Sequence, residues 1–414
     1  MKLNHKLFIS ALAILAATTS QSFASGYSTD STSTSGLGNA YAGSVTGVHD
    51  VSDMFFNPSV TAGLDKNQFI ASMTYIKLDI DSDGAAGKFS GGGSVSGGDS
   101  RNAGSNNLIP AFYLATPIND KTTFNLSVTS PFGLATKYDS TWAGRYQAVE
   151  SSISTVNFNP SVSYKLTDKL SVGAGVVAQY YQATLTKAVF TGGNDATGKL
   201  SGSDWGYGYN LGANYKFNDQ LKVGVGYRSK IDYNLSGTTK VADLGMYSDF
   251  NAKTATPESL TAGVAYKLNK TVELAYDTTW TRWSRLKSLV VNAHQNSNLN
   301  DTTTFNWHDS FLHSIGANFT VNDKTLIRVG AAYEKDAVTD ANRGPRVPTG
   351  DRVWTTFGFN QKIGSGWSVD GAYSHQFYRA AKMNISDSST TVPSLSAKYK
   401  AQVNVFSIAL KKDF

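Results

Sequence analysis

Cysteine is absent from the 414 residues, which excludes disulfide staples, thiolate metal sites and a cysteine nucleophile. Proline is scarce at 9 residues and methionine at 5. Charged residues supply only 16% and hydrophobic ones 40%, low for a soluble enzyme of this length. There is no dense Lys/Arg block, and the formal charge is only +6, so nucleic acid is not an expected partner. After residue 24 no apolar stretch approaches the ~18 residues of a helical membrane span. What is abundant is Gly (38), Tyr (21), Phe (21) and Trp (7), set among Ser, Thr and Asn. Aromatics alternating with small polar residues favour extended strands over helices.

The N-terminus reads as a secretory signal. Lys2, His5 and Lys6 give a basic start, residues 7–17 an apolar run, and Ser22-Phe23-Ala24 a small-residue cleavage site. Cleavage is expected after Ala24, so residues 1–24 form the signal peptide and the mature chain leaves the cytoplasm.

The rest alternates between strand-like runs and two kinds of connection. Short ones carry turn chemistry: Asn119-Asp120, Thr167-Asp168, Asn218-Asp219, Asn269, Asn322-Asp323 and Gly364-Ser365-Gly366. Long ones are polar and cover about 79–107, 133–149, 191–204, 237–256, 284–308, 335–350 and 380–399. Six short and seven long connections separate fourteen strands. These are expected near 67–78, 108–118, 121–132, 150–165, 169–190, 205–217, 220–236, 257–267, 270–283, 309–320, 324–334, 351–363, 367–379 and 400–414. An even strand count with lopsided connections is the plan of an outer-membrane barrel.

Period-2 patterning agrees. Leu221, Val223, Val225 and Tyr227 alternate with Lys222, Gly224, Gly226 and Arg228. One set must meet lipid and the other a polar lumen, and small glycines on the inner face leave room for something inside. Tyr164, Tyr215, Phe217, Tyr266 and Phe319 precede short turns, where an interfacial girdle belongs. A soluble β-sandwich or propeller would use aromatics as core, but its loops would not be so unequal. Residues 83–107 are Gly/Ser-rich and read as a flexible surface loop.

Catalytic and metal sites are not found. Of six histidines, none pairs at ligand spacing, and no Gly-x-Ser-x-Gly elbow occurs. His308-Asp309 sits in a long loop, and Asp79, Asp81 and Asp83 lack the Gly and Glu of a calcium loop. No cofactor motif appears, and a barrel enzyme or adhesin would need a site that is missing.

Residues 25–66 precede the first strand and start on the short-turn side, so the lumen is the obvious place for them. An open small-solute porin would lack such a plug. Several stretches here resemble the FadL family of outer-membrane transporters for long-chain fatty acids and hydrocarbons. They are Leu37-Gly38-Asn39-Ala40-Tyr41-Ala42-Gly43, Phe55-Phe56-Asn57-Pro58, Ser130-Pro131-Phe132-Gly133-Leu134-Ala135-Thr136, Pro257-Glu258-Ser259-Leu260, Trp280-Thr281-Arg282-Trp283-Ser284 and Pro348-Thr349-Gly350-Asp351-Arg352-Val353-Trp354.

The resemblance implies an all-β fold: a 14-stranded antiparallel transmembrane barrel over 67–414, with an N-terminal hatch, residues 25–66, inside the lumen. It implies passive transport of hydrophobic small molecules, most of all long-chain fatty acids, with aromatic hydrocarbons or small solutes as the alternatives. Ligand would be captured on outer loops and released sideways at a kink in strand three, where Ser130, Pro131, Phe132 and Gly133 lie. Proline removes a ladder donor there, and it either kinks the strand or ends it at its loop. The hatch tripeptide is Asn57-Pro58-Ser59, with Ser where the family has Ala. Cleavage after Ala24 makes Tyr27 the pocket aromatic. The family's carboxylate-holding Arg and Lys fall at Gln182 and Val290 here, so Arg285, Lys287 and Lys187 are the candidate substitutes, and a neutral ligand also fits. A last strand ending in Phe414 resembles the signal read by barrel assembly machinery. Lipopolysaccharide and outer-membrane lipids are the expected surroundings, and a monomer the expected state.

Overall fold

The computed structural model describes residues 26–386 and 392–414; the signal peptide expected over 1–24 lies outside them. Strands β1 (Gln68–Lys88) and β2 (Asn106–Asn119) open the series. The third stave is split into β3 (Thr122–Thr129) and β4 (Gly133–Lys137). Strands β5 (Glu150–Lys165), β6 (Leu170–Val189) and β7 (Ala196–Lys216) are continuous. Four split staves follow: β8 (Leu221–Arg228) with β9 (Ile231–Val241), β10 (Met246–Thr256) with β11 (Ser259–Lys267), β12 (Val272–Thr281) with β13 (Ser288–Ala293), and β14 (Asp301–Thr304) with β15 (Ser310–Asn322). The ring finishes with β16 (Thr325–Glu334), β17 (Arg352–Gly364), β18 (Trp367–Tyr378) plus β19 (Ala381–Ile385), and β20 (Ser394–Asp413). Among the described residues these make fourteen antiparallel staves. Pairing of β1 with β20, from Gln68↔Asp413 to Lys88↔Ser394, closes the cylinder and leaves no free edge.

Turn chemistry sets the register on the short side. The Asn119, Asn218, Asn269 and Asn322 side chains each accept two backbone N–H bonds from the residues that begin the next strand. Thr167 does the same with its hydroxyl. Gly364 and Gly366 close the remaining turn at φ +101 and +75, where a Cβ would be strained.

The far side differs from expectation. Segments read as loops within 79–107, 191–204, 237–256 and 380–399 carry strand extensions: β1 runs to Lys88, β7 starts at Ala196, β9 and β10 form a hairpin, and β20 starts at Ser394. The Gly/Ser-rich segment is likewise partly strand, and Ser100 and Ala103 within it are fully buried. These extensions carry Asp, Lys, Ser and Thr on outward positions, so the apolar alternation that marks lipid-facing strand is missing. Their inward positions are apolar in places, as with Ile231, Tyr233 and Leu235 between Asp232 and Asn234, and these pack in the buried cluster.

Outward positions form an apolar band, with Val176, Ile315 and Ile408 all about 60% exposed. A water-soluble monomer rarely shows so much contiguous apolar surface. The five girdle aromatics are outward and exposed, as are Phe406, Ile408, Leu410 and Phe414. Inward positions are polar and buried, including Asn125, Asn157, Asn159, Gln179 and the Arg328–Asp370 pair at 2.6 Å.

Residues 26–64 run inside this ring. They form one short helix, α1 (Thr34–Gly38), capped by the Ser33 hydroxyl, and two 3₁₀ turns, Val51–Phe55 and Pro58–Thr61. Glycines on the inner wall let this backbone approach. A Cβ on Gly212 would lie 1.9 Å from Asn57 Oδ1, on Gly224 1.9 Å from the Val45 carbonyl, and on Gly226 2.0 Å from the Phe56 carbonyl. Gly173 meets Pro58, Gly330 meets Asn39 and Gly358 meets Gly38 in the same way. One segment therefore touches staves around the whole circumference.

Candidate ligand path and strand-three break

Strand three stops at Thr129 and resumes at Gly133. Pro131 cannot donate to a ladder, and it pushes Ser130 toward extended backbone. β3 pairs with both β2 and β5, but β4 pairs with β5 alone. Upper β2 keeps its ladder to β1, but β2–β3 pairing starts only at Phe112. The wall between Asn106–Ala111 and β4 thus has no ladder, and a single bridge, Gly104↔Thr136, spans it above. Thr155 supplies a local substitute: its hydroxyl accepts the Phe132 N–H at 3.1 Å and donates to the Phe132 carbonyl at 2.7 Å.

The first described residues lie against this break. Gly133 N–H donates to the Tyr27 carbonyl at 2.7 Å, and Thr29 N–H to the Pro131 carbonyl at 2.9 Å. The Thr29 hydroxyl donates to the Ser130 carbonyl at 2.6 Å. The Tyr27 ring is buried, with ring centroids of Trp283 at 5.1 Å, Phe132 at 5.9 Å and Trp307 at 6.0 Å. Its hydroxyl donates to the Ala255 carbonyl at 3.0 Å.

Asn57 seats the next part of the segment. Its amide donates to the Val45 carbonyl at 2.6 Å and to the Ala213 carbonyl of β7 at 3.0 Å. Its Oδ1 accepts from the Ser59 N–H at 3.0 Å and the Ser59 hydroxyl at 2.7 Å. The Ser59 hydroxyl is therefore satisfied locally, and Pro58 sits at the start of its 3₁₀ turn.

Three cavities follow one another inward. An outer vestibule of about 370 Å³ is walled by Lys187, Asp301, Trp307 and Arg346 among others. A smaller apolar cavity of about 50 Å³ is lined by Tyr27, Leu134, Ile153, Tyr181, Leu286 and Trp307, with Arg346 again at its wall. A more polar one of about 140 Å³ reaches Ser28, Thr29, Pro131, Phe132, Arg228 and Arg352. The candidate cations lie elsewhere or are already engaged. Arg285 holds Glu258 at 2.7 Å, Lys187 holds Asp301 at 2.8 Å, and Lys287 is exposed. None of the three lines the Tyr27 cavity. Gln182 and Val290 are exposed and line neither inner cavity.

Two cations were not singled out from sequence. Arg352 binds Asp30 of the inner segment at 2.7 Å and Glu334 at 2.5 Å, its guanidinium 4.2 Å over the Trp354 ring. Its motif was visible, but the partner across 322 residues was not. Arg346 had no signal beyond its place in a polar loop. Among the described residues no cluster of His, Cys, Asp or Glu could hold a metal ion.

A closed barrel with an apolar outer band, an internal segment and serial cavities defines an outer-membrane transport protein. The family described as "Outer membrane protein transport protein (OMPP1/FadL/TodX)" matches residues 15–414, and the chain belongs to it. The long-chain fatty acid transport protein of Escherichia coli O157:H7 is 26% identical, with 91% of this chain and 93% of that protein covered. The crystal structure of a Pseudomonas aeruginosa FadL homologue superposes with a TM-score of 0.87 at 25% identity, covering 94% of this chain and 100% of that one. The Ralstonia pickettii toluene transporter TbuX shares the fold, with a TM-score of 0.67 at 19% identity over 91% of this chain and 98% of that one.

Proposed function

We propose that this protein carries hydrophobic compounds, long-chain fatty acids foremost, passively across the outer membrane. Residues 1–24 direct export, 25–66 act as the hatch and 67–414 form the barrel, assembled as a monomer through its Phe414-ended last strand. The outer loops and vestibule collect the ligand from the lipopolysaccharide surface, with Lys187 the first cation that a carboxylate meets. The ligand then takes the Tyr27 cavity and leaves sideways beside Pro131.

The observation that carries this reading is the position of Tyr27: it lines the apolar cavity and bonds the strand-three break with its carbonyl. A cavity of about 50 Å³ is far below the ~300 Å³ that encloses a drug-sized ligand, so a ligand fits by displacing lining side chains, Tyr27 foremost in this reading. Each buried methylene contributes ~0.8 kcal/mol, so about ten of them outweigh the ~1.5–3 kcal/mol of one buried side chain plus a few aromatic contacts. Displacing Tyr27 also strains its own backbone bond to Gly133 and that of nearby Thr29 to Pro131, and movement of Asn57-Pro58-Ser59 follows. The cluster of Tyr27 with the rings of Trp283, Trp307 and Phe132 favours a second reading, an aromatic-hydrocarbon channel of the same fold.

Purification in mild detergent, then mass spectrometry of co-purifying small molecules, tests the proposal. Fatty acids or hydrocarbons are the expected finding. Only sugars or other polar solutes, together with sugar flux in liposome swelling, would replace it with a porin.

A further inference from the structure

On β20 the outward residues change character along the strand. Phe406, Ile408 and Leu410 face lipid, and beyond Asn404 and Gln402 come Lys400 and Lys398, both exposed. The neighbouring stave repeats the change. Tyr373 and Phe377 of β18 are exposed aromatics, followed by Arg379 at the β18–β19 junction and Lys382 of β19. The ladder sets Tyr373 opposite Phe406, with ring centroids 4.9 Å apart, and Lys382 directly opposite Lys398. Like charges facing each other across a ladder destabilise it. The inward face of the same segment is fixed, with Ala381, Met383, Ala397 and Tyr399 buried in the core cluster. The acids at hand do not neutralise these cations. Asp81 and Asp83 of β1 stand in register with Lys400 and Lys398, yet among the described residues Lys382, Lys398 and Lys400 form no ion pair. Asp81 accepts the Asn102 N–H at 2.9 Å, Asp79 holds Lys77 at 3.5 Å, and Arg379 reaches only Asp351, at 3.9 Å.

We infer that this outward patch docks the phosphates of a phosphorylated glycolipid of the outer leaflet, the lipid A part of lipopolysaccharide, whose acyl chains lie along Phe377, Tyr373 and Phe406. Height on the wall is the first argument. Lipid phosphates sit at the border of the hydrocarbon, and Lys400 follows Gln402, the partner of Phe377, as the next outward position. Lys400 and Lys398 are two residues apart, so their rows are separated by ~7 Å along the strand, within the depth of a headgroup. Chemistry is the second. Lysines offer phosphate a mobile point charge and Arg379 a fork of N–H groups. A phosphate over Lys382 and Lys398 supplies the anion that the ladder itself lacks. Direction of approach is the third. None of the four cations lines the vestibule or the inner cavities, so the patch serves a molecule in the leaflet beside the barrel and not one passing through it. The docked lipid thereby holds the outer extension of β18–β20 against the membrane.

The test is titration of the detergent-solubilised full chain with bisphosphorylated lipid A and with enzymatically dephosphorylated lipid A, read by native mass spectrometry. Wild type is compared with the triple variant Lys382→Gln/Lys398→Gln/Lys400→Gln and with a control triple, Lys199→Gln/Lys240→Gln/Lys253→Gln, which removes exposed lysines from β7, β9 and β10. Wild type should prefer the phosphorylated lipid, and the first triple should lose about tenfold or more of that affinity while the control keeps it. Heat-modifiable gel migration reports barrel integrity. Should the triple not fold, Lys382→Gln and Lys398→Gln singly carry the test, each with a severalfold loss. Equal affinity for the two lipids, an unchanged affinity in the patch variants, or an equal loss in the control overturns the docking site. Full displacement of lipid A by millimolar inorganic phosphate would overturn it too, by making the patch a site for free anions. Each of these results leaves transport of hydrophobic compounds standing.

Discussion

Gly224, Gly226 and Gly212 illustrate how much one missing methyl decides here. Each sits on the inner wall where the internal segment's backbone or Asn57 comes within 2.0 Å of the Cβ position. For Gly226 the obstacle is a carbonyl, which cannot swing aside as a side-chain tip can. Gly226→Ala should destabilise the folded protein by ~1–3 kcal/mol. The check is the temperature at which the heat-modifiable band shifts, with Gly193→Ala as control, since nothing lies within 4 Å there. Arg352 is the second decisive residue. Arg352→Met leaves the Asp30 and Glu334 carboxylates without their buried cation, a loss of ~3–5 kcal/mol. A lower melting temperature and earlier proteolysis of the N-terminal segment are expected; an unchanged melting temperature would mean that the pair is not structural. The inward set of glycines was legible from alternation, because period 2 assigns a face without knowing what it faces. What fills the space was not legible residue by residue: Arg352 finds Asp30, and Asn57 finds Ala213, only after the ring has closed.

At the level of elements, the short turns and the lipid-facing halves of the strands were readable, because Asn and Gly punctuate them and outward apolar residues mark the alternation. The outer extensions of β1, β7, β9, β10 and β20 were not, since above the lipid their outward face meets water and carries no apolar set to mark it. Strand three was ambiguous, because Pro131 is equally compatible with a kink and with a strand end. The structure resumes the strand as β4, paired on one side only. Substituting Pro131 and Gly133 with β-branched residues restores a donor and a strand-favouring side chain next to upper β2. That double variant should lower uptake of a radiolabelled long-chain fatty acid severalfold with surface levels unchanged, and those amides of Asn106–Ala111 that face β4 rather than β1 should gain protection from hydrogen exchange. Uptake equal to wild type would remove the wall opening from the mechanism.

For the whole molecule, the proposed hatch role of the internal segment is what would separate a gated transporter from an open pore. Deleting residues 26–64 removes the material that fills the lumen while leaving the β1–β20 closure intact. In liposome swelling the deletion should admit small sugars that the intact protein excludes. Equal swelling for both would show that the segment does not seal the bore.

The sequence by itself determined the architecture: strand number, the sided loops, the lipid-facing pattern and the room left inside the lumen. Each of these is a local or periodic property, written in neighbouring residues and enforced because a bilayer leaves unpaired backbone no water. The tertiary structure decided the site. The Tyr27 carbonyl bonding Gly133, the clustering of Tyr27 with Trp283 and Trp307, and Arg346 at the junction of two cavities all join residues far apart in the chain. Such contacts depend on ring closure and on the path of the internal segment, and no periodicity records either.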